Sequence, residues 1–102
     1  MTDLQTISWI FLATALATDT KSTDISDISS VADGINHALP TQKELQTSIS
    51  WLTTNGLIIK QGKNYELTSK GKLAYESASK NTKTLMKIWR NIELNFKSYD
   101  DN

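Results

Sequence analysis

The sequence predicts a small, mainly α-helical domain that carries one short β-hairpin. Apolar residues recur at helical spacing along most of the chain, a capping box opens a helix at Thr41, and alternation typical of strands follows Asn55-Gly56. At 102 residues, the chain is long enough for one domain with one core. The predicted helices cover about residues 3–17, 24–39, 41–55, 69–79 and 82–97, and the predicted hairpin covers about 57–68.

The first predicted helix is apolar on nearly every side. Thr2 and Gln5 fit a capping box at its start, and its apolar residues are Leu4, Ile7, Trp9, Ile10, Phe11, Leu12 and Leu16. A helix of this kind must be covered on most of its faces. Contact with another subunit and burial beneath the C-terminal helix of the same chain are both open explanations.

The second predicted helix follows a polar segment, 18–23, that is expected to be a loop. Asp24 is placed to cap the helix, and the apolar stripe consists of Ile25, Ile28, Ala32, Ile35 and Leu39. Pro40 ends this helix, so only one or two residues separate it from the helix that opens at Thr41.

The third predicted helix turns Leu45, Ile49 and Leu52 toward the core and ends at Asn55-Gly56. Two short strands joined by a turn at Gly62-Lys63 come next. Thr68 is expected to cap a fourth helix, whose residues for packing are Leu73, Ala74 and Tyr75. The last helix carries an apolar stripe opposite Lys83, Lys87 and Arg90, and residues 100–102 are expected to be a frayed terminus.

The order of these segments carries a resemblance. A helix, Asn-Gly-Leu-Ile, a hairpin and then Leu67-Thr68-Ser69-Lys70-Gly71 resembles the winged helix-turn-helix family over about residues 3–75. The run from Ile35 to Thr41, followed by Glu44-Leu45, is also similar to small bacterial winged-helix proteins of uncharacterised function. The resemblance implies a winged helix-turn-helix domain at 1–79, in which 41–55 is the recognition helix and the hairpin is the wing. Residues 80–102 are expected to form a C-terminal amphipathic helix with a frayed tail, and the apolar stripe of this helix is expected to dimerise the protein.

A polar helix face and a basic hairpin tip are the candidate interface with double-stranded DNA. The residues predicted to contact DNA are Thr41, Gln42, Lys43, Gln46, Thr47, Ser50, Lys60, Lys63 and Asn64. Glutamine pairs with adenine, lysine donates to guanine, and threonine or serine contacts phosphates or the thymine methyl group. The same face is also what any exposed helix shows. Because the recognition helix has one lysine and no arginine, we expect a monomer to bind weakly.

A homodimer would double the basic contacts with DNA. The residues predicted for the dimer interface are Trp9, Phe11, Leu85, Trp89, Ile92 and Phe96, with packing inside one chain as the competing explanation. We therefore expect a DNA-binding transcriptional regulator. The alternative is a winged-helix protein-interaction module that docks on a partner through apolar surface and does not bind DNA.

Composition argues against several other classes of protein. The chain has no cysteine and one histidine, His37, so thiolate sites and histidine clusters for metals are excluded. The motifs of nucleophilic or acid–base catalysis are also missing, and neither an enzyme nor a cofactor is expected. Net charge is zero overall, but it is −4 for residues 1–59 and +4 for 60–102. The apolar stretch from Trp9 to Ala17 is too short to span a bilayer and follows no basic region, so a cytoplasmic location is expected.

Overall fold

The structure is a computed structural model that describes residues 1–19 and 21–100. Within these residues the fold is mainly helical, with a small antiparallel sheet. In chain order the elements are α1 (Asp3–Thr18), β1 (Thr23–Asp24), α2 (Ile25–Asn36), α3 (Gln42–Thr54), β2 (Ile58–Gln61), β3 (Asn64–Leu67), α4 (Ser69–Ser79) and α5 (Leu85–Asp100). No helix in the described part combines the length and the apolar character that crossing a membrane requires.

Side-chain caps begin four of the helices, as predicted. At α3 the Thr41 backbone N–H donates to Glu44 Oε1 at 2.8 Å, and the Glu44 N–H donates to Thr41 Oγ1 at 3.0 Å. Equivalent capping boxes open α1 at Thr2 and α2 at Asp24. The Thr68 hydroxyl accepts from the backbone N–H of Gly71 at the start of α4. Each cap pairs backbone donors that a helix start leaves free.

The predicted end of α2 was wrong by three residues. The helix stops at Asn36 because His37 adopts a left-handed conformation, with φ 54, and its backbone N–H donates to the Asp33 carbonyl at 2.7 Å. This bond closes the helix before Pro40 is reached. Leu39, which was assigned to the buried stripe, is 68% exposed.

The sheet has the strand order β1-β3-β2, and both pairings are antiparallel. Gly62, at φ 62, occupies the two-residue turn between Gln61 and Asn64, which confirms the predicted hairpin. Strand β1 was not predicted, because residues 18–23 were interpreted as a loop. Thr23 in fact pairs with Tyr65, so the strand depends on a distant partner. Thr20, also assigned to that loop, lies outside the described residues.

Helix α1 forms the centre of the core and packs against α2, α3 and α5. The Trp9 indole N–H donates to the Ala32 carbonyl at 2.8 Å, and the Trp89 indole N–H donates to the Gln5 carbonyl at 2.8 Å. The Trp9 and Trp89 rings are stacked, with centroids 6.2 Å apart. The prediction that α1 is covered on most faces is therefore confirmed, and its cover comes from the same chain.

This packing buries most of the predicted dimer interface inside one chain. Four of its residues are fully buried within one chain: Trp9, Phe11, Ile92 and Phe96. The Phe11 and Phe96 rings, for example, contact each other with centroids 5.2 Å apart. Trp89 is half-buried, and Leu85 is 39% exposed. Intramolecular packing, the competing explanation, accounts for the apolar stripe of α5.

Helix α5 begins and ends three residues later than predicted. It starts at Leu85, and the carbonyl of the preceding residue, Thr84, accepts from the backbone N–H groups of Lys87 and Ile88. It continues to Asp100, which was expected to be frayed; Asp101 and Asn102, predicted to fray as well, lie outside the described residues. Because α5 packs against α1 and α4, the helix within the predicted C-terminal segment 80–102 shares one core with the predicted domain 1–79.

Candidate nucleic-acid interface

The polar face of α3 is uncovered in the structure. Its exposed residues are Gln42, Lys43, Gln46, Thr47 and Ser50, all of which were predicted to contact DNA. On the opposite side Leu52 is fully buried, while Leu45 and Ile49 are half-buried against the core. Ser48 is also fully buried, which the apolar spacing did not indicate. The helix therefore has a packed side and a free polar side.

Thr41 has a structural role at the start of this helix. Its backbone N–H and its hydroxyl are both engaged with Glu44 in the capping box. The residue is exposed, but its hydroxyl oxygen already accepts the Glu44 N–H. Its predicted contact with DNA must therefore be made by an oxygen that also caps the helix.

The hairpin presents two of its lysines to solvent. Lys60 on β2 and Lys63 in the turn are exposed, and neither forms an ion pair among the described residues. The Lys60 Nζ lies 5.9 Å from the centroid of the Tyr65 ring, its cross-strand neighbour. Asn64 is half-buried and pairs with Asp24 and Gln61 in the sheet. The backbone of Asn64 thus belongs to the sheet, and the two lysines supply the accessible positive charge.

The start of α4 joins the end of α3 to the hairpin. The Thr68 hydroxyl donates to the Gly56 carbonyl at 2.6 Å, and the Thr68 N–H donates to the Leu57 carbonyl at 3.1 Å. Lys70 Nζ donates to the Asn55 carbonyl at 2.9 Å and lies 4.7 Å from the centroid of the Tyr99 ring. These bonds satisfy carbonyls of the segment that joins α3 to β2 and tie that segment to the start of α4.

The described part of the chain contains one ion pair, at the start of α2. Lys21 Nζ is 3.1 Å from Asp27 Oδ1, and Asp27 Oδ2 accepts from the Asp24 backbone N–H at 3.1 Å. Both hydrogen bonds lower the pKa of the Asp27 carboxyl below its ordinary value, and the bond from the Asp24 backbone N–H makes the larger contribution. Lys21 is thus paired, whereas Lys43, Lys60 and Lys63 form no ion pair with any residue that the structure describes.

A groove that the sequence did not reveal borders the polar face of α3. It has a volume of about 590 Å³, and its lining consists of Ile25, Gln42, Leu45, Gln46, Ile49, Ser50 and Tyr65. Ile25 was assigned to the buried stripe of α2, but it is 41% exposed. Its position in a helical pattern predicted burial, and only the placement of α3 and β3 shows that it faces an open groove.

Comparisons with protein-family models, curated proteins and solved structures found no match to this chain. Among the described residues, no group of three or more histidine, cysteine, aspartate or glutamate side chains is arranged to hold a metal ion.

Proposed function

We propose that this protein is a cytoplasmic DNA-binding transcriptional regulator of the winged helix-turn-helix type. In this proposal α3 enters the major groove, and the β2–β3 hairpin is the wing that contacts the phosphate backbone. The observation that supports it is the uncovered polar face of α3 beside a hairpin with two exposed lysines, Lys60 and Lys63, which form no ion pair in the described part of the chain. Helix α2 precedes α3 across the short segment that includes His37 and Pro40.

The side chains on α3 suit base contacts. Gln42 and Gln46 carry amides that address adenine through two hydrogen bonds, and Lys43 can donate to guanine. Thr47 and Ser50 supply hydroxyls for phosphates, and the methyl group of Thr47 can contact the thymine methyl group. All five side chains are exposed. They would provide the base readout, while Lys60 and Lys63 would provide phosphate contacts.

We also propose that the regulator acts as a homodimer, because two copies double a small number of basic contacts. The predicted interface must change, since four of its six residues are buried in one chain. The large apolar side chains that remain exposed on α4 and α5 are Leu73, Leu85, Met86 and Leu94. Sedimentation velocity tests the proposal. A dimer that Leu94→Glu dissociates would support it, and a monomer at all concentrations would contradict it.

Fluorescence anisotropy of a labelled mixed-sequence duplex tests DNA binding directly. The protein is titrated at about 50 and about 200 mM salt, a range over which several phosphate contacts change affinity by orders of magnitude. Binding that weakens steeply with salt is expected. The absence of binding at the lower salt concentration would contradict the proposal.

A protein-interaction module is the second candidate function. Leu73 on α4 and Leu94 on α5 are 66% and 55% exposed, and both line a groove between these helices that Phe96 and Tyr99 also reach. Apolar surface of this kind supports binding to a protein. For this candidate we expect no duplex binding at low salt, and we expect Leu94→Glu to release a partner that the native chain retains.

A further inference from the structure

An apolar groove lies beside the polar face of α3. Ile25 from α2, Leu45 and Ile49 from α3, and Tyr65 from β3 contribute its apolar surface. Ile25 is 41% exposed, and the other three are half-buried. Three elements therefore bring partly exposed apolar side chains to one place. Contiguous apolar surface in a concave site is a feature of binding sites, whereas single exposed apolar residues are common on any protein.

The groove has the size and the polar groups of a small-molecule site. Its volume of about 590 Å³ falls within the roughly 300–1,000 Å³ that is typical of such sites. Gln42, Gln46 and Ser50 line it alongside the apolar residues. None of these three side chains forms a hydrogen bond with the described residues, so their donors and acceptors are available to a ligand.

The lining of the groove is uncharged, and a lysine lies beside it. No acidic side chain is among the lining residues, which are all uncharged. Lys60 lies next to the groove, since its Nζ is 5.9 Å from the centroid of the Tyr65 ring. The lysine forms no ion pair within the described residues. The groove thus joins an uncharged, largely apolar lining to one unpaired cation.

We propose that this groove binds a small carboxylate with an apolar body, such as an aromatic or branched acid. The carboxylate would lie toward Lys60, and the apolar body would contact Ile25, Leu45 and Tyr65. Gln42, Gln46 and Ser50 line the groove and also belong to the proposed DNA-reading face, so ligand and duplex would compete for them. Only this competition rests on the proposed function; binding of the carboxylate does not.

Titration of 2-naphthoate into ¹⁵N-labelled protein tests the site, with 2-naphthamide as the uncharged analogue. Saturable shifts are expected for amides of α3 and β3 that line the groove. The Kd of the amide should be higher by up to about fivefold, because an exposed ion pair contributes modestly. Lys60→Gln should raise the Kd of 2-naphthoate by a similar factor and leave that of the amide unchanged.

Ile25→Glu is the decisive variant, because it places a carboxylate inside the groove. Ile25 is the first residue of α2, where an acidic side chain is compatible with the helix dipole, so the variant should fold. Its own ¹⁵N spectrum checks this. Binding of 2-naphthoate should be lost in Ile25→Glu and retained in Ser30→Glu, which adds the same charge at an exposed position on α2 outside the groove lining.

Several results would overturn the proposal. They are the absence of saturable shifts with native protein, undiminished binding to folded Ile25→Glu, and equal affinity for the acid and the amide. If the native protein binds no duplex, the proposed regulator fails, but the naphthoate titration still decides whether the site exists. If the protein binds both duplex DNA and 2-naphthoate, but 2-naphthoate does not displace the duplex, only the proposed competition is wrong.

Discussion

Gly71, in the first turn of α4, packs directly against the Leu57 carbonyl. A Cβ at this position would overlap the Leu57 oxygen and lie 3.1 Å from the Leu57 carbonyl carbon. The same oxygen accepts from the Thr68 N–H, which limits its movement. Glycine is therefore required here by the close approach of two backbone segments.

We expect Gly71→Ala to destabilise the protein by about 1–3 kcal/mol, because the added methyl group forces the start of α4 away from Leu57. Gly34→Ala is the control. Gly34 is also helical, but nothing lies within 4 Å of its added Cβ. That variant should gain roughly 0.5–1 kcal/mol from the better helix former. Urea unfolding measures both changes, and equal stability of the two variants would contradict the packing at Gly71.

Ser48→Ala should stabilise the protein by about 1 kcal/mol. The Ser48 side chain is fully buried, and its hydroxyl has no hydrogen-bond partner among the described residues. An unpaired buried polar group is costly, so its removal is favourable. Ser8→Ala is the matched control, because Ser8 is equally buried on α1 but donates to the Leu4 carbonyl at 2.7 Å.

Both substitutions place alanine in a helix and gain similar helix propensity. The difference between their changes in stability therefore reports on whether each hydroxyl is hydrogen-bonded. We expect Ser8→Ala to be the less stable variant in thermal unfolding. Equal effects would show that the Ser48 hydroxyl is satisfied in solution.

Asp27 should make stability depend on pH. Its pKa is lowered in the fold, first by the Asp24 backbone N–H and then by Lys21. A carboxyl with a depressed pKa stabilises the folded state above its unfolded value of about 3.9, and this stabilisation is lost as pH falls through the folded pKa. Native protein should therefore be more stable than Asp27→Asn at neutral pH, and this difference in stability should disappear in acid.

Lys21→Gln separates the two causes. It removes the ion pair but leaves the hydrogen bond from the Asp24 N–H. The pH dependence of stability should therefore be smaller in this variant than in native protein, but still present. Thermal unfolding from neutral pH to about pH 2 follows both variants. A gap between native protein and Asp27→Asn that stays constant with pH would contradict the role of Asp27.

Charge reversal tests the proposed placement of DNA. Lys43→Glu and Lys63→Glu should each weaken duplex binding with little change in thermal stability, because both side chains are exposed and form no ion pair within residues 1–19 and 21–100. Lys63→Gln should reduce the slope of log affinity against log salt by about 1, as expected for one lost phosphate contact. Lys97→Glu, which reverses an exposed charge on α5, should bind like native protein.

Unaltered binding in both Lys43→Glu and Lys63→Glu would exclude the proposed positions of α3 and the hairpin. Equal weakening by Lys97→Glu would instead indicate a general effect of net charge.

Local signals in the sequence were sufficient to locate the starts of α1 to α4 and the hairpin, whereas the start of α5 was predicted three residues too early. Thr2, Asp24 and Thr41 each cap a helix through a residue three positions away. Gly62 takes the positive φ that its turn requires. The polar face of α3 was likewise predictable from helical spacing. These features were readable because each depends on residues that are close together in the chain.

The tertiary structure decided which apolar surfaces are buried and which remain open. Periodicity alone assigned Ile25 to the core and left the partner of Phe96 undecided. In the structure Ile25 borders a groove formed with α3 and β3, and Phe96 packs against Phe11 in the same chain. Strand β1 exists because Thr23 meets Tyr65, 42 positions later. Burial and strand pairing depend on contacts between segments that are distant in sequence, and helical or strand periodicity carries no information about which segments meet.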